Sequence, residues 1–337
     1  MHDRSPARLA VIRRALEAQL PGRKYDLIFS PSSKYIAVLG GISSAVFWTD
    51  ACFSDMVGYY EEFSNLTQGS IDHAERVELN ALNRAAAVLY SSQWAANGAA
   101  RISPENAAKL RVVPFGANVS EVPTRDEALA ACARRRGPVK LLFAGVDWRR
   151  KGGAFALQVL RACKGIGLDV EIDLLGAVAP ESEQLGDLIV RQHGFISKAT
   201  PEGRARIRAL LHEAHWLLLP TRAECCAVVL AEAAAHAVPA LTTAVGGNET
   251  AVVHGETGFL FSLDRPPEIW AEKIYNLSRD PLTYRNMAIH ARAHYEAALN
   301  WDVAGRRAVE VFEFVLKQGS LPNHPKPPAL KRSSVGV

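Results

Sequence analysis

Short apolar runs alternate with longer amphipathic segments along the first third of the chain. The amphipathic segments predict helices over residues 6–20 and 71–86, where apolar side chains recur at helical spacing. The apolar runs predict short strands over residues 25–29, 45–48, 87–90 and 110–114. Short apolar strands separated by helices are typical of a parallel sheet that is covered on both faces.

The same alternation restarts after residue 138 and is clearer there. Strands are predicted over residues 139–144, 169–175, 193–196, 216–219 and 239–243. Helices are predicted between and after them, over residues 154–163, 182–192, 202–213, 227–237, 267–278, 280–298 and 302–317. The pattern therefore predicts an α/β protein with two parallel sheets and no internal repeat.

The length of 337 residues favours two domains, because single domains usually contain about 100–200 residues. A polar segment rich in Ala and Arg, bounded by proline and glycine, predicts a linker over residues 125–137. We expect an N-terminal domain over residues 1–124 and, after the linker over 125–137, a C-terminal domain over 138–300. A final helix over 301–317 and a disordered, proline-containing tail over 318–337 would follow.

Composition excludes several classes of protein. The net charge of +4 is too small to indicate a nucleic-acid partner, and no run of basic residues is interleaved with aromatic residues. No apolar run reaches the roughly 20 residues of a membrane span, and the five cysteines show neither metal-ligand nor disulfide spacing, so a cytoplasmic protein is expected. The Arg-bearing helix over residues 6–20 predicts docking on a protein core, with weak association with a membrane surface as the alternative.

The segment from Pro220 to Glu232 carries the strongest chemical signal. Glu224 follows an apolar strand, in the loop where open α/β sheets bind ligands, and Glu232 lies eight positions later in an Ala-rich helix. The residues between them supply the helix N-terminus, whose amides and positive dipole suit a phosphate. The segment predicts a nucleotide-sugar site. Solvated glutamates at a helix start are the alternative.

Two further glycine-containing segments flank this one. Gly145 to Gly153, which contains Lys151, lies upstream, and Gly246-Gly247 with Glu249 lies downstream, followed by Gly255 to Phe259. In this order the set resembles the retaining family 4 glycosyltransferases, the group 1 family, over roughly residues 139–300. The resemblance implies the GT-B fold, in which two Rossmann-like domains face a cleft and a C-terminal helix, here residues 302–317, returns to the first domain.

The resemblance also implies roles for residues of the second domain. Lys151 would neutralise the diphosphate, helped by Arg149 or Arg150 because Val146 replaces the family's arginine after Gly145. Glu232 would accept hydrogen bonds from the ribose and Glu224 from the transferred sugar. The backbone amides of the helix start, at Cys225, Cys226, Ala227 and Val228, would contact the phosphate and the sugar. Gly152, Gly246 and Gly247 would allow the backbone to approach the ligand closely. The base would meet residues 192–196.

The first domain departs from the family's pattern. It opens on a helix rather than on a strand with a glycine-rich loop, so an abbreviated domain with an incomplete sheet and a strand edge at residues 25–29 is expected. Asp50 stands near the place where relatives carry a cleft histidine, and it is the predicted acceptor-side residue. No Asp-x-Asp or tight acidic cluster is present, so no metal or other cofactor is expected besides the donor substrate.

The expected function is transfer of a hexose from a nucleotide diphosphate sugar, with retention, to an acceptor that is a saccharide, a lipid-linked sugar or a small molecule. A glycosidase using Glu224 and Glu232 is a poorer match, because eight helical positions separate the backbones by roughly 12 Å. A nucleotide-sugar-binding protein with impaired catalysis is the second alternative, since the acceptor side looks shortened. The sequence does not indicate the oligomeric state.

Overall fold

A computed structural model describes residues 4–20, 25–39, 44–134 and 137–318. The N-terminal part contains a four-stranded parallel sheet in the order β1-β2-β3-β4. Its strands are β1 (Ile28–Ser30), β2 (Ala45–Thr49), β3 (Ala87–Tyr90) and β4 (Leu110–Val112). The helices of this part are α1 (Pro6–Gln19), α2 (Ser33–Val38), α3 (Phe53–Met56), α4 (Gln68–Arg84) and α5 (Gln93–Ile102).

The C-terminal part contains a six-stranded parallel sheet in the order β10-β9-β8-β5-β6-β7. Its strands are β5 (Val139–Gly145), β6 (Val170–Gly176), β7 (Val190–Gly194), β8 (Trp216–Leu219), β9 (Ala240–Thr243) and β10 (Gly258–Phe261). The helices that follow α5 are α6 (Arg125–Arg134), α7 (Gly153–Gly165), α8 (Pro201–Glu213), α9 (Val228–Ala235), α10 (Asn248–Ala251), α11 (Pro267–Ser278), α12 (Pro281–Ala298) and α13 (Trp301–Gln318). The predicted α/β fold with two parallel sheets is confirmed.

The two faces of the six-stranded sheet are covered by different helices. Apolar side chains of α7 and α11, including Leu157 and Trp270, pack on one face. Side chains of α8 and α9, including Leu210 and Leu230, pack on the other. Alternate residues of β8 follow this division, since Trp216 belongs to the first cluster and Leu217 to the second. A ligand at the carboxyl edge of this sheet can therefore lie on either of two distinct faces.

In the second half, one predicted helix is wrong and one strand was not predicted. The helix expected over residues 182–192 does not form, and its last residues belong to β7 instead. Leu185 and Leu188, whose spacing suggested a helix, reach the core from a turn. Strand β10 was not predicted, because its four residues follow a glycine-rich turn and have no polar alternation.

The first helix packs on the N-terminal core. Leu9 is buried there, and Ile12, Leu16 and Leu20 pack against the same cluster, which confirms the predicted docking. Strand β1 lies at the edge of its sheet, as expected, although it starts at Ile28 rather than at residue 25. Within the described ranges no helix is long and apolar enough to cross a membrane. Membrane-surface binding through α1 stays a prediction.

The segment predicted as a linker, residues 125–137, contains helix α6. Ala128 and Cys132 on this helix are buried against Ala237 and Ala288 of the C-terminal part. The helix has polar side chains on its outer face and small side chains on its buried face. The amino-acid composition of such a helix resembles that of a polar loop. The tail predicted beyond the last helix lies outside the described residues, apart from Gln318 at the end of α13.

The last helix returns to the N-terminal sheet, as the resemblance implied for residues 302–317. Ala304, Ala308 and Val315 of α13 share a buried cluster with side chains of β2 and β3. At the start of the helix, the ring of Trp301 stacks on Phe115 at 5.7 Å. The C-terminal end of the chain therefore fastens the two parts of the molecule together.

This fastening can be measured with two valines of the same helix. Val315 is 0% exposed and Val309 is 51% exposed. We expect Val315→Ala to destabilise the N-terminal sheet by about 2 kcal/mol, because two buried methyl groups are lost and a cavity remains. Amide hydrogen exchange of the β2 and β3 backbone measures the change. Val309→Ala is the matched control and should change the free energy of amide exchange by less than about 0.5 kcal/mol. Equal effects of the two substitutions would contradict the packing of α13 on β2 and β3.

Candidate active site

Two loops at the carboxyl edge of the C-terminal sheet form one unit. Gly152, with φ +79°, ends the loop after β5, and a Cβ there would lie 2.0 Å from the carbonyl oxygen of Pro220. The amide of Arg222 donates to the carbonyl of Arg150 at 2.7 Å, and the hydroxyl of Thr221 donates to the same carbonyl at 3.1 Å. The loop that carries Lys151 is thus held directly on the loop that carries Glu224.

The carboxylate of Glu224 lies where these two loops meet and is 4% exposed. Its Oε1 accepts a hydrogen bond from the guanidinium of Arg150 at 3.1 Å and lies 3.0 Å from the hydroxyl of Thr221, whose single proton it shares with the carbonyl of Arg150. The ammonium of Lys151 also contacts this oxygen. Two cations therefore share one buried carboxylate, and the structure brings together Lys151 and Glu224, which the sequence suggested as parts of one site.

Glu232 forms a second buried ion pair. It lies in the second turn of α9, is 5% exposed, and contacts the ammonium of Lys198. Because α9 starts at Val228, the helical repeat does not relate Glu232 to Glu224, which stays in the loop. Lys198 was not among the predicted residues. Its signal was its place just after a predicted strand, at the ligand-binding edge of a parallel sheet.

A cavity of about 390 Å³ opens between these groups. It lies on the face of the sheet covered by α8 and α9, and the start of α9 forms one wall. Three cations and one of the two buried carboxylates line it, together with glycine backbone and apolar side chains, among them Gly145, Arg150, Lys151, Phe195, Ile196, Lys198, Cys226, Ala227, Val228 and Glu232. The composition of this cavity suits an anionic ligand with hydroxyl groups.

Two tyrosines of the N-terminal part cross to the Glu224 loop. The amide of Glu224 donates to the hydroxyl of Tyr59 at 2.9 Å, and that hydroxyl donates to the Glu224 carbonyl at 3.3 Å. The amide of Cys225 donates to the hydroxyl of Tyr60 at 2.8 Å. No sequence pattern predicted these residues, because their contacts depend on how the two parts of the chain approach each other.

These contacts correct one expectation about the helix start. Of the amides from Cys225 to Val228, the first donates to Tyr60 and the last donates to the carbonyl of Cys226 at 3.1 Å. Of these four amides, those of Cys226 and Ala227 have no acceptor among the described residues. The loop turns before the helix begins, so two rather than four amides face the cavity unpaired.

The glycine pair after β9 packs against the same loop. A Cβ on Gly246, with φ +51°, would lie 1.6 Å from the carbonyl oxygen of Glu224, and one on Gly247 would lie 2.1 Å from that of Cys225. The close backbone approach expected of these glycines therefore exists, but its partner is protein backbone. The pair shapes the Glu224 loop from behind.

Burial controls the ionisable groups of the Glu224 loop and of the N-terminal part that faces it. It raises the pKa of the Cys225 thiol to about 12 and that of Cys226 to about 11, and both cysteines are free. Asp50 lies near enough that its charge raises both thiol pKa values further, and burial raises the pKa of Asp50 itself. Burial also raises the pKa of Tyr59 to about 12. The Glu224 loop thus carries two neutral thiols, and the N-terminal part that faces it carries Tyr59 as a neutral hydroxyl and the carboxyl of Asp50.

Arg149 does not join this cluster. It lines a separate cavity with Trp148 and Trp270, on the face of the sheet covered by α7 and α11. Its neighbour Arg150 is the second cation beside Lys151, and its guanidinium lies 5.6 Å from the centre of the Tyr60 ring. Of the two arginines that the sequence offered for the diphosphate, the structure places Arg150 at the site.

Comparison with known proteins points to the same half of the chain. Residues 138–280 match the family model described as "Glycosyl transferases group 1". Glycogen synthase from Mycobacterium tuberculosis is 26% identical over 231 residues, which cover 67% of this chain and 53% of that protein. A D-inositol 3-phosphate glycosyltransferase from Corynebacterium urealyticum is 26% identical over 247 residues, covering 68% and 55%. The chain thus spans about half the length of the curated relatives it matches.

Solved structures share the fold over nearly the whole chain. Sucrose-phosphate synthase from Thermosynechococcus elongatus superposes with a TM-score of 0.70 at 19% identity, covering 92% of this chain and 79% of that one. HepE from Anabaena, crystallised in complex with UDP, superposes with a TM-score of 0.65 at 17% identity, covering 91% and 82%. These likenesses agree with the GT-B arrangement of the two sheets.

The contact between the two loops leads to a stability prediction. Gly152 and Gly255 have φ of +79° and +80°, but a Cβ on Gly255 would meet nothing within 4 Å. We expect Gly255→Ala to cost about 1–2 kcal/mol through backbone strain alone. Gly152→Ala should cost about 1–3 kcal/mol more, because the Pro220 carbonyl must move. Urea denaturation of both variants measures the difference, and equal midpoints would show that the loops are not in contact.

Proposed function

Because residues 138–280 match the family model of group 1 glycosyl transferases, we propose that this chain transfers a hexose from a nucleoside diphosphate sugar to an acceptor with retention at the anomeric carbon. One observation carries the proposal. Lys151 and Arg150, which converge on buried Glu224, line the same cavity as the Lys198–Glu232 pair. Retention is proposed from the resemblance of the motifs to family 4.

The diphosphate would lie between the two cations and the start of α9. Lys151 and Arg150 line the cavity and pair with Glu224, and Arg150 also pairs with Asp147, so the diphosphate would bind by drawing these cations away from their carboxylates. The unpaired amides of Cys226 and Ala227 stand at the positive end of the helix dipole. As the bond to the sugar breaks, charge builds on the diphosphate, and these fixed groups stabilise the transition state more than the bound donor.

The nucleoside would lie deeper in the same cavity. The carboxylate of Glu232 would accept hydrogen bonds from the ribose hydroxyls, and Lys198 holds that carboxylate in place. The backbone near Phe195 and Ile196 lines the cavity beside it and would meet the base. Glu224 and its loop would face the transferred sugar, since the carboxylate contacts Arg150 and Lys151, which line the cavity.

The acceptor would enter from the N-terminal side, between the two sheets. Asp50, Tyr59 and Tyr60 form the wall that faces the Glu224 loop. Domain contacts through the two tyrosines fix the distance between this wall and the donor cavity. A saccharide, a lipid-linked sugar or a small molecule would supply the accepting hydroxyl group.

Turnover by the purified chain tests the function. UDP-glucose is the first donor to try, because HepE of the same fold was crystallised in complex with it. A thermal-shift panel of UDP-, GDP- and ADP-sugars identifies the preferred donor, since a ligand of the native state raises its stability.

The anomeric configuration of the product, followed by NMR, tests retention, and turnover in EDTA tests the expected independence of metal. Donor binding with neither hydrolysis nor transfer would instead support a nucleotide-sugar-binding protein.

Lys151→Ala should lower the rate of transfer by roughly 10²–10³, because a cation that stabilises the departing diphosphate is lost. Steady-state kinetics with the preferred donor measures the effect. Lys164→Ala is the matched control, since Lys164 pairs with Asp187 on the surface and should leave kcat unchanged. Near-normal turnover by a folded Lys151→Ala protein would remove Lys151 from the mechanism.

Glu232→Ala should weaken binding of bare UDP by about 10–100-fold, the loss expected for hydrogen bonds to a charged group. Glu224→Ala should keep or improve UDP affinity, because it frees Lys151 and Arg150 for the diphosphate. Isothermal calorimetry on both variants separates these outcomes, with exposed Glu249→Ala as the control. Unchanged affinity in Glu232→Ala would contradict the ribose role.

A further inference from the structure

A second cavity, of about 490 Å³, opens at the carboxyl edge of the same sheet but on its other face. Its aromatic walls belong to the core cluster of α7 and α11, whereas the donor cavity lies on the side of α8 and α9. The side chains that matter here are Trp148, Arg149, Phe155, Glu183, Arg222 and Trp270. The two cavities share no lining residue, so a ligand here would be distinct from the donor.

Two guanidinium groups line this cavity without a protein partner. In the described ranges, neither Arg149 nor Arg222 donates a side-chain hydrogen bond or forms a salt bridge, in contrast to Arg150, which pairs with Glu224. Glu183 is the one carboxylate that lines the cavity, which leaves an excess of positive charge. Guanidinium groups bind phosphate oxygens through paired N–H donors, so the pair suits a phosphate better than a neutral ligand.

The rest of the lining suits a sugar ring. Trp148 and Phe155 are only partly buried and bring aromatic surface to the cavity. Trp270 stacks on Phe261 at 4.2 Å, and its buried indole N–H has no partner in the described part of the chain. Aromatic side chains offer large apolar contact at low entropic cost, and Glu183 can accept hydrogen bonds from hydroxyl groups.

We propose that this cavity binds a phosphorylated sugar, with its phosphate held by Arg149 and Arg222 and its ring against Trp148 and Phe155. The proposal accounts for Arg149, which the sequence suggested for the donor diphosphate and which faces this cavity instead. It does not depend on the proposed reaction, because neither arginine contacts Lys151, Glu224 or Glu232 through a side-chain hydrogen bond.

Calorimetry on the whole chain tests the proposal with three matched probes: galactose 6-phosphate, galactose and inorganic phosphate. The phosphorylated sugar should bind at least tenfold more tightly than either of the others, since only it engages both the arginines and the aromatic wall. Arg149→Gln and Arg222→Gln should each weaken its binding about tenfold or more. Arg8→Gln, at an exposed arginine of α1, is the control and should bind like the unaltered chain.

A fourth variant separates this site from the donor cavity. Lys151→Ala should lose affinity for UDP while keeping that for galactose 6-phosphate. If Lys151→Ala loses both ligands and the arginine variants lose neither, the sugar phosphate occupies the donor cavity and the proposal is wrong. Absence of binding at millimolar concentration, or equal binding of inorganic phosphate, would also overturn it. Because each readout is binding, these failures are distinct from a failure to find transferase activity.

Discussion

The arrangement of the site depends on one buried carboxylate. Glu224 is nearly inaccessible to solvent, and a charge in that position is tolerated only with compensating partners. Arg150, Lys151 and Thr221 supply them through its side chain, while Tyr59 binds its backbone from the facing domain. A single residue thus joins the loop after β5, the loop after β8 and the N-terminal part. An anion that binds Arg150 and Lys151 in the neighbouring cavity would have to compete with Glu224 for their charge.

Strand and helix positions followed from sequence wherever periodicity and length agreed. The strand over 216–219 and the helix over 267–278 were predicted with the bounds that the structure shows, because each is a continuous pattern between clear breaks. The helix predicted over 182–192 failed, since apolar residues at helical spacing also fit a turn that leads into an edge strand. Strand β10 was missed because four residues are too few to show a period.

The positions of the candidate site residues were predictable where strand ends place them, and their roles stay predictions. Lys151, Glu224 and Glu232 lie at the carboxyl edge of the sheet, and that position follows from the order of strands and helices alone. The choice between Arg149 and Arg150 did not, because a shift of one residue within a tight turn sends the side chain to the opposite face of the sheet. Partners that come from elsewhere in the chain, such as Lys198 and the tyrosines, depend on three-dimensional approach that no local pattern encodes.

The thiols of Cys225 and Cys226 make the cleft chemically observable. Their pKa values are raised mainly by burial between the two parts of the molecule, so at neutral pH they are protonated and unreactive toward alkylating agents. Separation of the parts would return water to the thiols and lower both pKa values. The rate of alkylation at a fixed pH therefore counts how often the cleft opens, and a ligand that holds it closed slows the labelling. The labelling of these two native cysteines can therefore report whether the two parts of the molecule separate.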